Sequence, residues 1–174
     1  MLFIIEGTDG TGKTSLALDL QARLPGTEIV HLHDCVPGYA DMAQYGMPVN
    51  SWQEDAYLLI HHRLLGGRAI CDRGPLSGLV YSDVPAEVEE WMLGLMADAG
   101  RIRLIHLWAP FATVAQRDPE WAGRESEFML HQAEFIRLTE RCGELGIPTL
   151  EIDTSRQPTM GVAFNVCKAL GVRY

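Results

Sequence analysis

Short apolar segments alternate with longer segments in which apolar residues recur on one face. The apolar segments predict five β-strands, at residues 2–6, 28–33, 68–72, 102–108 and 148–153. Apolar residues spaced three and four apart predict helices at residues 14–24, 51–65, 86–99, 110–117, 127–145 and 159–170. Polar residues, glycine and proline are frequent in residues 34–50 and 118–126, and they predict irregular loops there.

The order of these elements predicts the fold class. Strands alternate with helices over the whole chain, and most strands are apolar on both faces. This arrangement is typical of α/β proteins in which helices cover both faces of a five-stranded parallel sheet. With 174 residues and no repeat or linker, the chain is expected to form one domain. In such sheets, ligands gather at the carboxyl ends of the strands.

Composition and charge narrow the range of partners. The formal net charge is −9, and the 14 lysine and arginine residues are scattered rather than gathered in a basic patch. This distribution disfavours nucleic acid as the main partner. Because every apolar stretch is far shorter than a membrane span, we expect no membrane association. The 4 cysteines form no C-x-x-C pair and follow no secretory signal, so we expect reduced thiols in a cytoplasmic protein.

A glycine-rich motif lies between the first predicted strand and the first predicted helix. Residues 7–14 have the sequence Gly-Thr-Asp-Gly-Thr-Gly-Lys-Thr, which fits the phosphate-loop pattern G-x-x-x-x-G-K-S/T. We expect Lys13 to reach the β- and γ-phosphates of ATP, and the Thr14 hydroxyl to bind Mg²⁺. The candidate ATP-binding residues of this loop are Gly7, Gly10, Thr11, Gly12, Lys13 and Thr14. The motif therefore predicts a three-layer P-loop NTPase fold, in which the positive end of the following helix faces the phosphates.

The third predicted strand ends in Asp72 and Arg73. An acidic residue at this place can hold the Mg²⁺ shell through water, as a Walker-B carboxylate does. An arginine beside it suits bidentate contact with a phosphate group. The chain lacks the guanine-reading motif N-K-x-D, which disfavours a small GTPase.

In three segments the chain resembles the thymidylate kinase family. Residues 3–14 resemble that family's opening strand and phosphate loop, including an acidic residue inside the loop. Asp72-Arg73-Gly74-Pro75-Leu76-Ser77-Gly78-Leu79-Val80-Tyr81 resembles its D-R-Y-x-x-S-x-x-A-Y segment, and residues 58–63 resemble the helix that carries its thymine-contacting arginine. The resemblance implies a nucleoside monophosphate kinase that uses ATP, Mg²⁺ and small nucleotide substrates. It also implies a homodimer formed through helices, to which helix 86–99 would contribute.

The resemblance implies roles for the residues that match the family's motifs near the transferring phosphate. Asp9 would hold the sugar 3′-hydroxyl and lie near that phosphate. Arg73 would bind the acceptor phosphate, and Asp72 would order Mg²⁺-bound water.

Other matching residues belong to the implied acceptor pocket. Tyr81 would pack against the sugar, and Arg63 would read the edge of the base. Leu59 falls near the family's base-stacking phenylalanine. Ser77 fits the motif and is counted with the substrate-binding candidates, with helix capping as its alternative role.

Arg117 and Arg124 flank the polar loop at residues 118–126. Phosphoryl transfer needs positive charge over the equatorial oxygens, and a mobile lid loop at about residues 117–126 can supply it. Thymidylate kinases carry this arginine either inside the phosphate loop or in the lid. Because the loop position here is Gly10, the chain resembles the second arrangement. Arg156, after the fifth predicted strand, is a candidate contact for adenine.

The acceptor side departs from the thymidylate kinase pattern. Residues 33–38 lack the family's phosphate-binding arginine, Leu59 replaces the stacking phenylalanine, and Gly74 replaces the aromatic residue after Asp-Arg. The alternatives are therefore a deoxynucleoside kinase or another small P-loop kinase, including one that acts on a nucleic-acid 5′ end. A catalytically silent nucleotide-binding regulator is a third alternative.

Overall fold

The computed structural model describes residues 1–30, 68–82, 84–156, 159–169 and 171. The expectations for residues 31–67, which include Leu59, Arg63 and the helix at 51–65, lie outside the described residues. Within the described part, five parallel strands form one sheet in the order β2-β3-β1-β4-β5. They are β1 (Leu2–Glu6), β2 (Glu28–Val30), β3 (Ala69–Asp72), β4 (Ile102–Trp108) and β5 (Thr149–Asp153). This confirms the predicted parallel α/β sheet.

The described helices lie close to their predicted positions, with one addition. They are α1 (Lys13–Arg23), α2 (Pro75–Tyr81), α3 (Ala86–Ala99), α4 (Phe111–Arg117), α5 (Glu125–Glu144) and α6 (Thr159–Ala169). Helix α2 was not predicted. It has 7 residues, of which the first 5 are buried, so it shows no alternation of apolar and polar faces. Pro75 at its first turn was the available signal.

Side chains of the central strand β1 alternate between two apolar layers, as the pleat of a strand requires. On one face, Leu2 and Ile4 belong to a cluster that includes residues of α2, α3 and α5, such as Phe135. On the other face, Phe3 and Ile5 belong to a cluster that includes residues of α1 and α6. Helices therefore cover both faces of the sheet, as predicted.

The register of the sheet brings three strand ends together. Ile5 of β1 lies opposite Asp72, the last residue of β3, and Glu6 lies opposite His106 of β4. The loop that follows β1 thus begins beside the residues that follow β3. This register places the two motifs found in the sequence at one edge of the sheet.

Residues 118–126, predicted to be an irregular loop, are largely ordered by local structure. Pro119–Trp121 form a 3₁₀ turn, and α5 already begins at Glu125. Asp118 caps the turn, because its Oδ1 accepts a hydrogen bond from the Glu120 amide at 3.1 Å. The Trp121 side chain, 4% exposed, packs against Phe128 of α5. Burial of this tryptophan explains why the segment is more compact than its polar sequence indicates.

Candidate active site

The loop between β1 and α1 bends at glycines that no other residue could replace without strain. Gly7 has a φ of 137°, and a Cβ atom there would lie 2.1 Å from the Leu107 carbonyl oxygen. Gly10 has a φ of 78°, and a Cβ atom there would lie 2.9 Å from Cγ1 of Val114. Helix α1 then begins at Lys13 with no side-chain cap and no acidic residue in its first turn. Its amides and its positive end therefore suit an anion.

Lys13 lies inside this loop and is 6% exposed. Its Nζ donates to the carbonyl oxygens of Gly7 and Thr8, each at 2.9 Å, and lies 3.5 Å from Oδ1 of Asp9. Burial lowers the pKa of Lys13 to about 8, although the nearby carboxylates of Glu6, Asp72 and Asp118 oppose this shift. A phosphate entering the loop would supply a negative charge next to this ammonium group and would favour its protonated form.

Thr14 and Asp72 form the contact expected of a Mg²⁺ site. The Thr14 hydroxyl donates to Oδ2 of Asp72 at 2.7 Å. Both ligand atoms are oxygens, the type that Mg²⁺ prefers, and Mg²⁺ usually takes only one or two protein ligands beside phosphate and water. The residues present therefore fit Mg²⁺ bound by Thr14, with Asp72 acting through water. Within the described residues, no three His, Cys, Asp or Glu side chains cluster as a metal site of their own.

Arg73 lies at the mouth of the phosphate loop in an unusual backbone conformation. Its φ is 73°, the left-handed region that residues other than glycine rarely adopt. Its amide donates to the Ile5 carbonyl at 3.1 Å, and its Nη2 donates to Oδ1 of Asp9. The strained backbone thus turns the guanidinium toward the loop that follows β1. Such strain is commonly found at functional sites.

Tyr81 at the end of α2 extends this cluster. The Arg73 guanidinium lies 5.8 Å from the centre of the Tyr81 ring, and the ring of His131 meets it edge to face at 4.9 Å. Tyr81 is 40% exposed. Burial of the remainder raises the pKa of its hydroxyl, and Arg73 opposes that shift. The structure therefore brings Tyr81, Arg73 and Asp9 together, and their roles toward an acceptor stay predictions.

Glu6 is a site residue that the sequence analysis missed. It is 0% exposed, and its carboxylate accepts hydrogen bonds from the Leu76 amide at 2.9 Å, the Ser77 amide at 3.3 Å and the Ser77 hydroxyl at 2.6 Å. Burial raises the pKa of Glu6, and the hydrogen bonds from Ser77 oppose this shift. Glu6 therefore ties the end of β1 to the first turn of α2. A charged residue that closes an otherwise apolar strand was the signal in the sequence.

This contact changes the interpretation of Ser77. The sequence placed Ser77 among the substrate-binding candidates, but it is 5% exposed and its hydroxyl is committed to Glu6. Ser77 therefore holds α2 against β1, and the helix-capping role is not seen either, because α2 has no side-chain cap.

The two candidate lid arginines point in different directions. Arg117 donates to the Thr154 hydroxyl at 3.1 Å and to the Thr154 carbonyl at 2.8 Å, so it lies against the segment after β5. Arg124 is ion-paired with Glu127 and lies 5.1 Å from the centre of the Trp121 ring. Within the part of the chain that the structure describes, neither arginine forms a hydrogen bond or ion pair with Lys13 or Asp9. Their catalytic roles stay predictions that require these side chains to move.

Arg156 is 87% exposed and lies 3.8 Å from Oδ2 of Asp153. It lines a cavity of about 390 Å³ between β5 and α6. Arg117 reaches the neighbouring Thr154, so two arginines flank this end of β5. The adenine contact of Arg156 stays a prediction.

A cavity of about 200 Å³ opens beside Asp9. Side chains of α2, the 3₁₀ turn and the start of α5 surround it. Its lining residues are Asp9, Tyr81, Asp118, Glu120, Trp121, Arg124, Glu127 and His131. Because Asp9 lines the cavity and is paired with Arg73, the cavity adjoins this ion pair.

No protein-family model and no curated protein matches this chain. Solved structures do resemble it. The YorR protein of Bacillus subtilis in complex with phosphorylated GDP has a TM-score of 0.70 at 15% identity, over 99% of this chain and 96% of that one. The tunicamycin resistance protein of Deinococcus radiodurans has a TM-score of 0.61 at 20% identity, over 99% and 96%. A deoxyadenosine kinase of M. mycoides with bound dATP has a TM-score of 0.61 at 14% identity, over 98% and 100%.

At these identities the likeness shows a shared fold alone, one that a deoxyadenosine kinase also has. It does not single out thymidylate kinases, whose resemblance still rests on the motifs in the sequence. No helix in the described ranges is long and apolar enough to cross a membrane. The expectations of a homodimer and of a cytoplasmic location stay predictions.

Proposed function

We propose that this chain is an ATP-dependent phosphotransferase that acts on a small-molecule acceptor. One observation carries the proposal: the Lys13 ammonium, the Thr14–Asp72 pair and the Arg73–Asp9 pair lie at one edge of the sheet. Because Lys13 and Arg73 both lie within ion-pair distance of Asp9, a donor phosphate and an acceptor can meet there. The P-loop kinase fold supports the same conclusion.

Catalysis would depend on electrostatic stabilisation of the phosphate groups and on the orientation of the acceptor. Amides of the loop and the ammonium of Lys13 would hold the triphosphate of ATP, and bound Mg²⁺ would neutralise charge on its β- and γ-oxygens. Thr14 and Asp72 would hold this metal. Arg73 would orient the acceptor next to the γ-phosphate, and Asp9 would fix the guanidinium in place.

A nucleoside monophosphate is the first candidate acceptor. The Arg73 side chain is 35% exposed and can reach a second phosphate from the mouth of the loop. This candidate agrees with the thymidylate-kinase-like motifs at residues 3–14 and 72–81. It requires the incoming phosphate to compete with Asp9 for the guanidinium.

A hydroxyl group is the second candidate acceptor, as in a deoxynucleoside kinase or another small P-loop kinase. The observation that favours it is Asp9, a carboxylate that lines the cavity and could accept a hydroxyl proton. The solved structures with this fold include a deoxyadenosine kinase, which leaves this candidate as open as the first.

A coupled ADP-release assay tests the proposal. ATP and Mg²⁺ are held constant while dTMP, dAMP, dCMP, thymidine and deoxyadenosine are supplied in turn. At least one acceptor is expected to raise ADP release above the rate without acceptor, and Lys13→Ala is expected to abolish the increase. ATP binding without ADP release for any acceptor would instead favour the non-catalytic regulator.

A further inference from the structure

Among the described residues, carboxylates outnumber cations in the lining of the cavity beside Asp9. Asp9, Asp118, Glu120 and Glu127 line it, and Arg124 is the one guanidinium among these described lining residues. Glu127 is paired with Arg124, and Asp9 is paired with Lys13 and Arg73. Asp118 and Glu120 form no ion pair with any residue in the described ranges. These two carboxylates would therefore oppose an anionic ligand in the cavity.

Aromatic side chains form the other part of the cavity wall. Tyr81, Trp121 and His131 line it, and Trp121 is 4% exposed. Their rings give the cavity apolar surface beside its carboxylates.

Ionised carboxylates can only accept hydrogen bonds, so the complementary ligand must bring donors. Hydroxyl and protonated amine groups are such donors, whereas a phosphate or a carboxylate group is not. The aromatic faces of Tyr81 and Trp121 suit the apolar side of a ring. At about 200 Å³ the cavity is smaller than the ~300–1,000 Å³ typical of drug-sized ligands, so it would hold one ring and its substituents.

We propose that this cavity binds the acceptor, and that the acceptor is a hydroxyl-bearing small molecule whose bound part is rich in hydrogen-bond donors and carries no negative charge. The inference rests on the proposed phosphotransferase function and decides between its two candidate acceptors. It places the reacting hydroxyl at Asp9, where the cavity meets the phosphate loop.

Phosphoryl transfer to this hydroxyl forms one bond at the γ-phosphorus of ATP and breaks another. The acceptor oxygen forms a bond to the γ-phosphorus of ATP. The bond between that phosphorus and the bridging oxygen breaks, and its electron pair leaves with ADP. The hydroxyl proton passes to the Asp9 carboxylate. Arg73, bonded to the same carboxylate, keeps Asp9 oriented toward the cavity.

The test compares probes that share a ring and differ in charge. Glucosamine, glucose and glucose 6-phosphate form one set, and thymidine and dTMP form another. Each is titrated calorimetrically into protein loaded with Mg²⁺ and a non-hydrolysable ATP analogue. In separate assays with ATP and Mg²⁺, each is then tested as an acceptor. In at least one set, the unphosphorylated probe is expected to be used at least about tenfold more efficiently than its phosphorylated counterpart.

Variants test whether the cavity makes this choice. Glu120→Gln is expected to weaken binding of the preferred probe by about tenfold, because one charge-assisted hydrogen bond is lost. Glu120→Lys is expected to shift the preference toward the phosphorylated probe. Glu140→Gln makes the same chemical change on the exposed side of α5 and is expected to alter neither quantity.

Three results would overturn the inference: preference for the phosphorylated probe in both sets, no binding of any unphosphorylated probe to nucleotide-loaded protein, or an unchanged preference in Glu120→Lys. Each of these counts against the acceptor class alone if ATP and Mg²⁺ still bind. Failure to bind ATP and Mg²⁺ would instead remove the proposed function itself.

Discussion

Replacing Ser77 with alanine probes the buried contact that joins β1 to α2. The substitution removes the hydroxyl that donates to Oε2 of Glu6 at 2.6 Å and leaves the two amide donors, which both bond Oε1. Oε2 then has no described partner inside a fully buried side chain. Because alanine is smaller and apolar, the variant tests the hydrogen bond with little steric disturbance.

The expected loss of stability follows from the nature of this bond. Where Glu6 is ionised, the bond from Ser77 is a hydrogen bond to a charged group, which contributes about 1.5–3 kcal/mol to the free energy of unfolding. In a chain of this size, each kcal/mol shifts the melting temperature by about 2–4 °C, so Ser77→Ala should melt about 3–12 °C lower. The exposed residue Ser126 of α5 provides the matched control, and Ser126→Ala should change the melting temperature by less than about 2 °C.

The pH dependence distinguishes the carboxylate contact from simple loss of packing. Burial raises the pKa of Glu6 above its usual value, so stability from this group is present at low pH and is lost as pH rises through the folded-state pKa. The Ser77 hydroxyl lowers that pKa, so its removal extends the loss to higher pH. The difference in unfolding free energy between wild type and Ser77→Ala should therefore widen as pH rises from about 4.5 toward 8.

Urea unfolding followed by circular dichroism at several pH values measures this difference. Equal stability of wild type and Ser77→Ala would refute the role given to the Glu6 contact. A difference that narrows as pH rises would show that the hydroxyl does not stabilise the ionised carboxylate.

Other predictions concern the acceptor, the lid and a buried histidine. Arg73→Ala should lower kcat/KM for the acceptor by about 10–100-fold in steady-state kinetics, because Arg73 no longer orients the acceptor or the Asp9 carboxylate; an unchanged kcat/KM would contradict its role. Gly10→Arg should not restore activity to Arg124→Ala, since the φ of 78° and Val114 leave no room for a side chain; recovery of activity would refute this. Burial lowers the pKa of His106 to about 4. The neutral side chain therefore contributes to the free energy of unfolding above about pH 6.5, and this contribution is lost as the pH falls toward 4. The loss amounts to about 3 kcal/mol. In urea unfolding, His106→Gln should lose less stability than wild type between pH 7 and pH 4.5, and equal losses would contradict this role of His106.

The shape of the loop at residues 7–14 could be predicted because its signals are local. The glycines, Lys13 and Thr14 lie within 8 consecutive residues, and the chain reverses there for reasons of backbone geometry. The partnership of Thr14 and Asp72 also followed from the sequence, since the carboxyl ends of neighbouring parallel strands meet at one edge.

Long-range contacts explain what was missed. The partners of Glu6 lie 70 and 71 residues away, and helix α2 is too short and too buried to show periodicity. The lid segment looked irregular because its order depends on the burial of Trp121, which the polar residues around it conceal. The directions of Arg117 and Arg124 likewise depend on tertiary neighbours, Thr154 and Trp121.

Calorimetric titration of ATP and Mg²⁺ into the folded protein tests most directly whether residues 7–14 bind a triphosphate. Wild type should bind at one site, and Lys13→Ala should bind at least about 100-fold more weakly, because a buried ammonium group no longer meets the phosphates. Lys168→Ala, which removes the other lysine from the exposed face of α6, should bind as wild type does. Absence of binding by well-folded wild type, or equal affinity in Lys13→Ala, would contradict a nucleotide site in this loop.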